Sequence, residues 1–216
     1  MGYEAPGRFV GWPSATPGAL VMWRPGAKDG EGQGSDGKLR LGEKKLASRI
    51  IYSGKIINLR LDDVELPDGK LARREVVEYS GAVAVTALTS GGELVLVRQY
   101  RYPIGKESLE IPAGKIESGE DPLSCARREL REETGAEAAE WEFLCRFYST
   151  PGFCTEEMHL YLARNLEFKG QQTDEDEFIQ VEKVPLEQCL EMIASGVICD
   201  AKSIIGVLTV SKGESK

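Results

Sequence analysis

Glu129, Glu132 and Glu133 stand close enough in the chain to act together, and carboxylates at this spacing are suited to holding a metal ion. If residues 121–134 form a helix, Glu132 lies three and Glu133 four positions beyond Glu129, so all three project from one face. Left unpaired, such like charges destabilise a helix by roughly 0.2–0.5 kcal/mol per pair, and a hard divalent cation removes that penalty by accepting oxygen ligands. Mg2+ retains several waters and takes one or two protein carboxylates together with phosphate oxygens, so its natural guest here is a phosphate ester or anhydride. The plain alternative is a solvated charged face. Against it stand Gly114, Glu120, Arg128, Leu130, Gly135 and Ala136, which with the three glutamates fix nine positions over 23 residues.

A metal-assisted attack by water also needs a base, and carboxylates committed to metal are poor candidates. The run Asp174-Glu175-Asp176-Glu177 supplies others, with a solvated acidic loop as the plain alternative. Arg101 could grip a diphosphate through two parallel hydrogen bonds, which lysine does less well, and Glu156 could accept hydrogen bonds from ribose hydroxyls. Each could equally be an ordinary surface residue.

The segment from Gly114 to Ala136 resembles the signature of the Nudix hydrolases and matches it at every defining position. Residues 97–102 (VRQYRY), 109–114 (LEIPAG), 149–153 (STPGF) and 200–203 (DAKS) are similar to the ADP-ribose pyrophosphatase branch, and Pro151 lies 16 residues past Gly135 as that branch's proline does. The likeness runs from about Leu46 to Val210. It implies a Nudix-type α/β/α sandwich and Mg2+-dependent hydrolysis of ADP-ribose to AMP and ribose 5-phosphate, with Mn2+ as a substitute ion. Glu129, Glu133 and the carbonyl of Ala113 would hold the ions, and Glu132 a second ion or a bridging water. Gly114 and Gly119 would let the loop fold back, while Glu120 and Arg128 would hold loop and glutamates in place. Glu175 would be the base, with Glu177 its substitute or a further metal ligand. Arg98, Arg101, Pro151, Gly152 and Glu156 would bind substrate, and Arg74 and Glu75 would reach it from the partner subunit of a homodimer that exchanges its amino-terminal strands. Tyr79-Ser80 departs from the branch's usual His-Pro. Other readings are hydrolysis of a different nucleoside diphosphate sugar or dinucleotide, such as GDP-mannose or NADH, a ligand-sensing module without turnover, and an acidic metal-buffering protein.

Composition narrows the classes. The chain has 216 residues, 41% hydrophobic and 29% charged, enough for one domain with a substantial core. A formal net charge of -8 argues against a non-specific nucleic-acid binder, although a bound metal could reverse the sign locally. The lack of a long apolar run or of a basic segment followed by an apolar one leads us to expect neither a membrane span nor a secretory signal. Cys125, Cys145, Cys154, Cys189 and Cys199 form no CxxC pair and read as reduced packing residues of a cytoplasmic protein. His159, the single histidine, reads as one face of a strand rather than a ligand or the partner of Cys154.

These residues need a scaffold. Residues 1–45 are rich in Gly and Pro and are expected to be a disordered or loosely attached extension, with Trp12 and Trp23 as its possible anchors. The hydrolase domain is expected over 46–211, with antiparallel strands at 49–57, 59–66 and 72–79 as an amino-terminal ribbon and a catalytic core over 80–211. Apolar runs at 82–85 and 94–97 predict buried strands within 81–88 and 93–100. Further strands are expected at 141–148, 157–163 and 178–184, and helices at 186–194 and 201–210. The order predicts an α+β fold, a mixed sheet with helices packed on it.

Overall fold

Strand β4 (Ala82–Leu88) is buried at all seven positions because helices cover both of its faces. Val83, Val85 and Ala87 face one helix layer, and Ala82, Ala84 and Leu88 face the other. The computed structural model describes residues 41–171 and 178–214. Beside β4 run β5 (Glu93–Arg101) and β9 (Glu157–Phe168), flanked by β10 (Gln180–Pro185) and β8 (Ala136–Tyr148) in the order β10-β5-β4-β9-β8. Short strands β6 (Lys106–Glu110) and β7 (Ala113–Lys115) pair with β5 and β4. Only the β4–β9 pairing is parallel among those described, so the sheet is mixed. Helix α1 (Pro122–Thr134) packs Cys125, Ala126 and Leu130 on one face, and α2 (Leu186–Ala194) and α3 (Ala201–Glu214) cover the other. The expected α/β/α sandwich is present. Among the described residues no helix is long and apolar enough to cross a membrane.

Before this sheet, β1 (Lys44–Ser53), β2 (Asn58–Glu65) and β3 (Leu71–Glu78) form a separate antiparallel sheet. Its end is tied to the core through the backbone of Val77, whose N–H donates to Phe153 O at 2.7 Å and whose carbonyl accepts from Thr155 N at 3.0 Å. Strand β1 is exposed along its whole length.

The differences from the expected elements have local causes. Strand β1 begins at Lys44 and ends at Ser53, because Gly54 N bonds Ile57 O and turns the chain where continued strand was expected. Strand β8 starts at Ala136, five residues before the expected 141, directly after the helix-ending Gly135. As an edge strand it exposes Glu137, Glu140 and Glu142, whose polarity hides a strand from hydrophobic patterning. Strands β6 and β7 are too short to give a pattern.

Close approach sets the seat of α3. A methyl group on Gly206 would stand 2.6 Å from Thr86 Oγ1 and 3.1 Å from Ile111 Cδ1. Alanine in an open helix is worth about 1 kcal/mol more than glycine, but overpacking costs about 1–3 kcal/mol. Gly206→Ala is therefore expected to destabilise the fold by up to about 2 kcal/mol in urea unfolding, and adding Thr86→Ala to recover part of the loss. A more stable Gly206→Ala would show that α3 is not seated this tightly.

Candidate active site

Asp121 caps α1 by accepting from Ser124 N at 3.0 Å, Pro122 occupies the first turn, and Gly135 ends the helix at φ 70° with its N–H on Arg131 O. Within these limits Arg128 gathers the acidic groups. Its Nε and Nη2 fork onto Glu120 at 2.9 and 3.0 Å, and its Nη1 reaches Glu129 at 2.8 Å and Glu132 at 3.0 Å. The Arg128 hydrogen bond holds the Glu120 carboxyl well below the usual range, at about 2. Glu133 is buried, 3% exposed, and its Oε2 accepts the Ala113 N–H at 3.0 Å. Gly114 permits this approach of loop to helix, because a Cβ there would fall 1.8 Å from the Glu129 carboxyl carbon.

The donor set is hard oxygen: carboxylates of one helix face beside the Ala113 backbone, which suits a divalent cation bound with phosphate. Among the described residues no three acidic, thiol or imidazole side chains converge as a ready-made ion site. Arg128 supplies the charge compensation instead. Its guanidinium pKa is raised, chiefly by the Glu120 hydrogen bond.

Next to this face lies a cavity of about 610 Å³. Ala113, Gly114 and Glu133 border it on the helix side, and Gln99, Arg101, Glu110, Glu156 and Lys202 give it charge and polarity. Tyr79, Phe147 and Met158 supply an apolar wall. A second hollow of about 900 Å³ shares Ala113, Gly114 and Lys115 and is bordered by Arg128 and Glu129. Arg101 binds both oxygens of Glu110, Nε to Oε1 at 3.0 Å and Nη2 to Oε2 at 2.6 Å, and Lys202 Nζ shares Oε2.

The structure thus brings Arg101, Ala113, Gly114, Glu133 and Glu156 to one cavity and Glu129 to the adjoining hollow. It leaves others apart. Arg98 lies on the opposite face of β5 and pairs with Glu182 on β10 at 2.6 Å. Its separation of three from Arg101 puts the two on opposite sides of a strand, a signal already present in the sequence. Arg74 pairs with Glu43 within the amino-terminal sheet, and neither it nor Glu75 lines the cavity of this chain. Pro151 and Gly152 sit in an exposed turn that does not line it either, although neighbouring Ser149 does. Glu175 and Glu177 fall outside the described residues. Gln99, Glu110, Asp200 and Lys202 line the cavity without having been assigned a role from the sequence.

Burial alone would raise the Glu110 carboxyl, but the Arg101 hydrogen bond and the charge of Lys202 outweigh it and hold the group at about 2. A carboxyl depressed in the folded state stabilises fully above its unfolded value, near 4.5, and loses that contribution as pH falls toward 2. Thermal unfolding followed from pH 6 to pH 2 is expected to show a loss between about pH 4.5 and 2 that is smaller in Glu110→Gln. Equal acid sensitivity of the two proteins would contradict this electrostatic account.

Comparison with known proteins agrees with the geometry. Residues 78–203 match the NUDIX domain family, and residues 43–77 match the nucleoside diphosphate sugar hydrolase N-terminal domain. The chain is 46% identical to a methanol dehydrogenase activator of Bacillus methanolicus, over 76% of this chain and 90% of that protein. It is 44% identical to an ADP-ribose pyrophosphatase of Bacillus subtilis, over 77% and 91%. A GDP-mannose pyrophosphatase of Escherichia coli is 36% identical over 66% and 81%. A crystal structure of an ADP compounds hydrolase superposes with a TM-score of 0.75 over 83% of this chain and 97% of that one, at 21% identity, and so shares the fold. With the glutamates of the motif gathered beside a polar cavity and the family matched over most of the described core, the chain belongs to the Nudix hydrolases and is a pyrophosphohydrolase.

Proposed function

We propose that this enzyme hydrolyses ADP-ribose to AMP and ribose 5-phosphate with Mg2+, Mn2+ serving as a substitute. The observation that carries the reading is the placement of the Arg101 guanidinium in the same cavity as Glu133 and the Ala113 backbone. Arg101 spends Nε and Nη2 on Glu110, and its Nη1 has no partner among the described residues, so it is left to grip a diphosphate oxygen. Glu129, Glu133 and the Ala113 carbonyl hold the ions in this reading, and Glu132 a second ion or a bridging water. A bound divalent ion there neutralises phosphate charge and makes water easier to deprotonate. Arg128 touches Glu129 and Glu132 through Nη1 alone, so yielding those two contacts leaves its fork on Glu120 intact. Glu156 accepts from sugar hydroxyls. Glu175 is the base, with Glu177 its substitute, an assignment that rests on the acidic run after the signature.

A homodimer completes the site in this proposal. Ile50, Ile51 and Tyr52 of β1 are 56%, 52% and 57% exposed in the single chain, an apolar surface suited to a second copy with exchanged strands. Arg74 and Glu75 of the same sheet then reach the partner's cavity. The cytoplasm, where nucleotide sugars and reduced thiols coexist, suits the five unpaired cysteines. The similarity to a GDP-mannose pyrophosphatase makes a guanosine sugar the second substrate to test. A non-catalytic sensor is disfavoured by the retention of all three α1 glutamates.

The test is a turnover panel of ADP-ribose, GDP-mannose, UDP-glucose, NADH and diadenosine compounds with Mg2+. ADP-ribose is expected to give the highest kcat/KM, and chelation to abolish turnover; a guanosine sugar in first place overturns the substrate assignment. Glu133→Gln is expected to lower kcat by about 10–100-fold or more, and Glu175→Gln by about 10²–10⁴-fold. Full turnover in Glu175→Gln with loss in Glu177→Gln reassigns the base. Gel filtration of the intact chain is expected to show a dimer, and a fully active monomer would refute the shared site.

A further inference from the structure

The first turn of α3 meets the segment between β6 and β7 at two successive residues. Lys202 Nζ donates to Glu110 Oε2 and, at 2.9 Å, to Asp200 Oδ1. Ser203, fully buried, accepts the Ile111 N–H on its Oγ at 2.8 Å. Asp200 Oδ1 also accepts Ser203 N at 3.2 Å, which fixes the carboxylate to the start of the helix. The result is a chain of alternating charge, Asp200, Lys202, Glu110, Arg101, that begins on α3 and ends on the guanidinium in the cavity. Two residues beyond Ile111, Ala113 N bonds Glu133, so the segment held by α3 touches the acidic face at its other end.

We propose that Lys202 is a positioning residue: by holding Glu110 between itself and Arg101, it fixes the Arg101 guanidinium at the angle that receives substrate. The proposal rests on Arg101 being the diphosphate ligand. Lys202 lies between two carboxylates, at 2.5 Å from Glu110 and 2.9 Å from Asp200. Removing its charge leaves Glu110 and Asp200 facing each other as like charges, and Glu110, only 3% exposed, lessens that repulsion by shifting. The bidentate pair then moves with it. Arg101 keeps its charge but loses its direction, and a misdirected ligand weakens binding more than it slows the bond-breaking step.

Two measurements on the full chain test this. In 15N-edited NMR without substrate, the Arg101 Nε–H resonance, assigned by its absence in Arg101→Lys, is expected to be protected from solvent exchange in the native protein and in Lys202→Arg. In Lys202→Met, and in Lys202→Gln should the first not fold, it is expected to exchange about tenfold faster or broaden beyond detection, the scale of one lost charge-assisted hydrogen bond. In turnover, Lys202→Met is expected to raise KM for ADP-ribose about tenfold with kcat changed by less than about threefold, Lys202→Arg to restore it, and Lys202→Met to add nothing in an Arg101→Lys background. Unchanged Arg101 exchange in the uncharged variants overturns the proposal. An equal rise in KM on the Arg101→Lys background also overturns it, since Lys202 then contacts substrate itself. If the native enzyme hydrolyses no nucleoside diphosphate sugar, the functional reading fails while the resonance still decides the positioning role.

Discussion

Three glutamates on one face of a short helix stand close together as like charges, and the rest of this structure is arranged around that constraint. Arg128 meets it from within the same helix, joining Glu120 of the preceding loop to Glu129 and Glu132 through a single planar guanidinium. A lysine could not replace it, because a point charge cannot present a fork to one carboxylate while its third nitrogen serves two others. The fork fixes the loop, and the loop brings Gly114 against Glu129 and the Ala113 N–H to Glu133. The acidic face is thereby a property of loop and helix together.

The sheet supplies the second half of the site. Because β4 is sealed on both faces, polar chemistry gathers at the strand ends, where β5, β6 and β7 deliver Arg101, Glu110 and Ala113 to one cavity. Helix α3 approaches from the opposite layer to α1, and Gly206 lets it come close enough for Lys202 and Ser203 to hold residues 110 and 111. Each half of the cavity is thus fixed by a different helix layer, and the β6–β7 segment joins them.

Much of this was legible in the sequence because the chemistry is local. The signature from Gly114 to Gly135 encodes a loop, a capped helix and its stop signal, so a helix over 121–134 would set its glutamates on one face, and the structure has that helix. The double burial of β4 was written in the apolar run at 82–85. Less legible were contacts between residues distant in the chain. Nothing in the pattern near Lys202 announces a bond to Glu110, 92 positions earlier, and the polar edge strand β8 carries too little alternation to reveal where it begins. Arg98 shares a motif with Arg101, but strand periodicity sends it to the other face of β5, where it pairs with Glu182.

The central claim is that the α1 face captures divalent ions. Electron paramagnetic resonance of Mn2+ titrated into the intact protein measures this without reference to any substrate. The account predicts bound Mn2+ with the native chain and its loss in a Glu129→Gln, Glu133→Gln double variant whose circular dichroism is unchanged. Equal binding by the two proteins would contradict it.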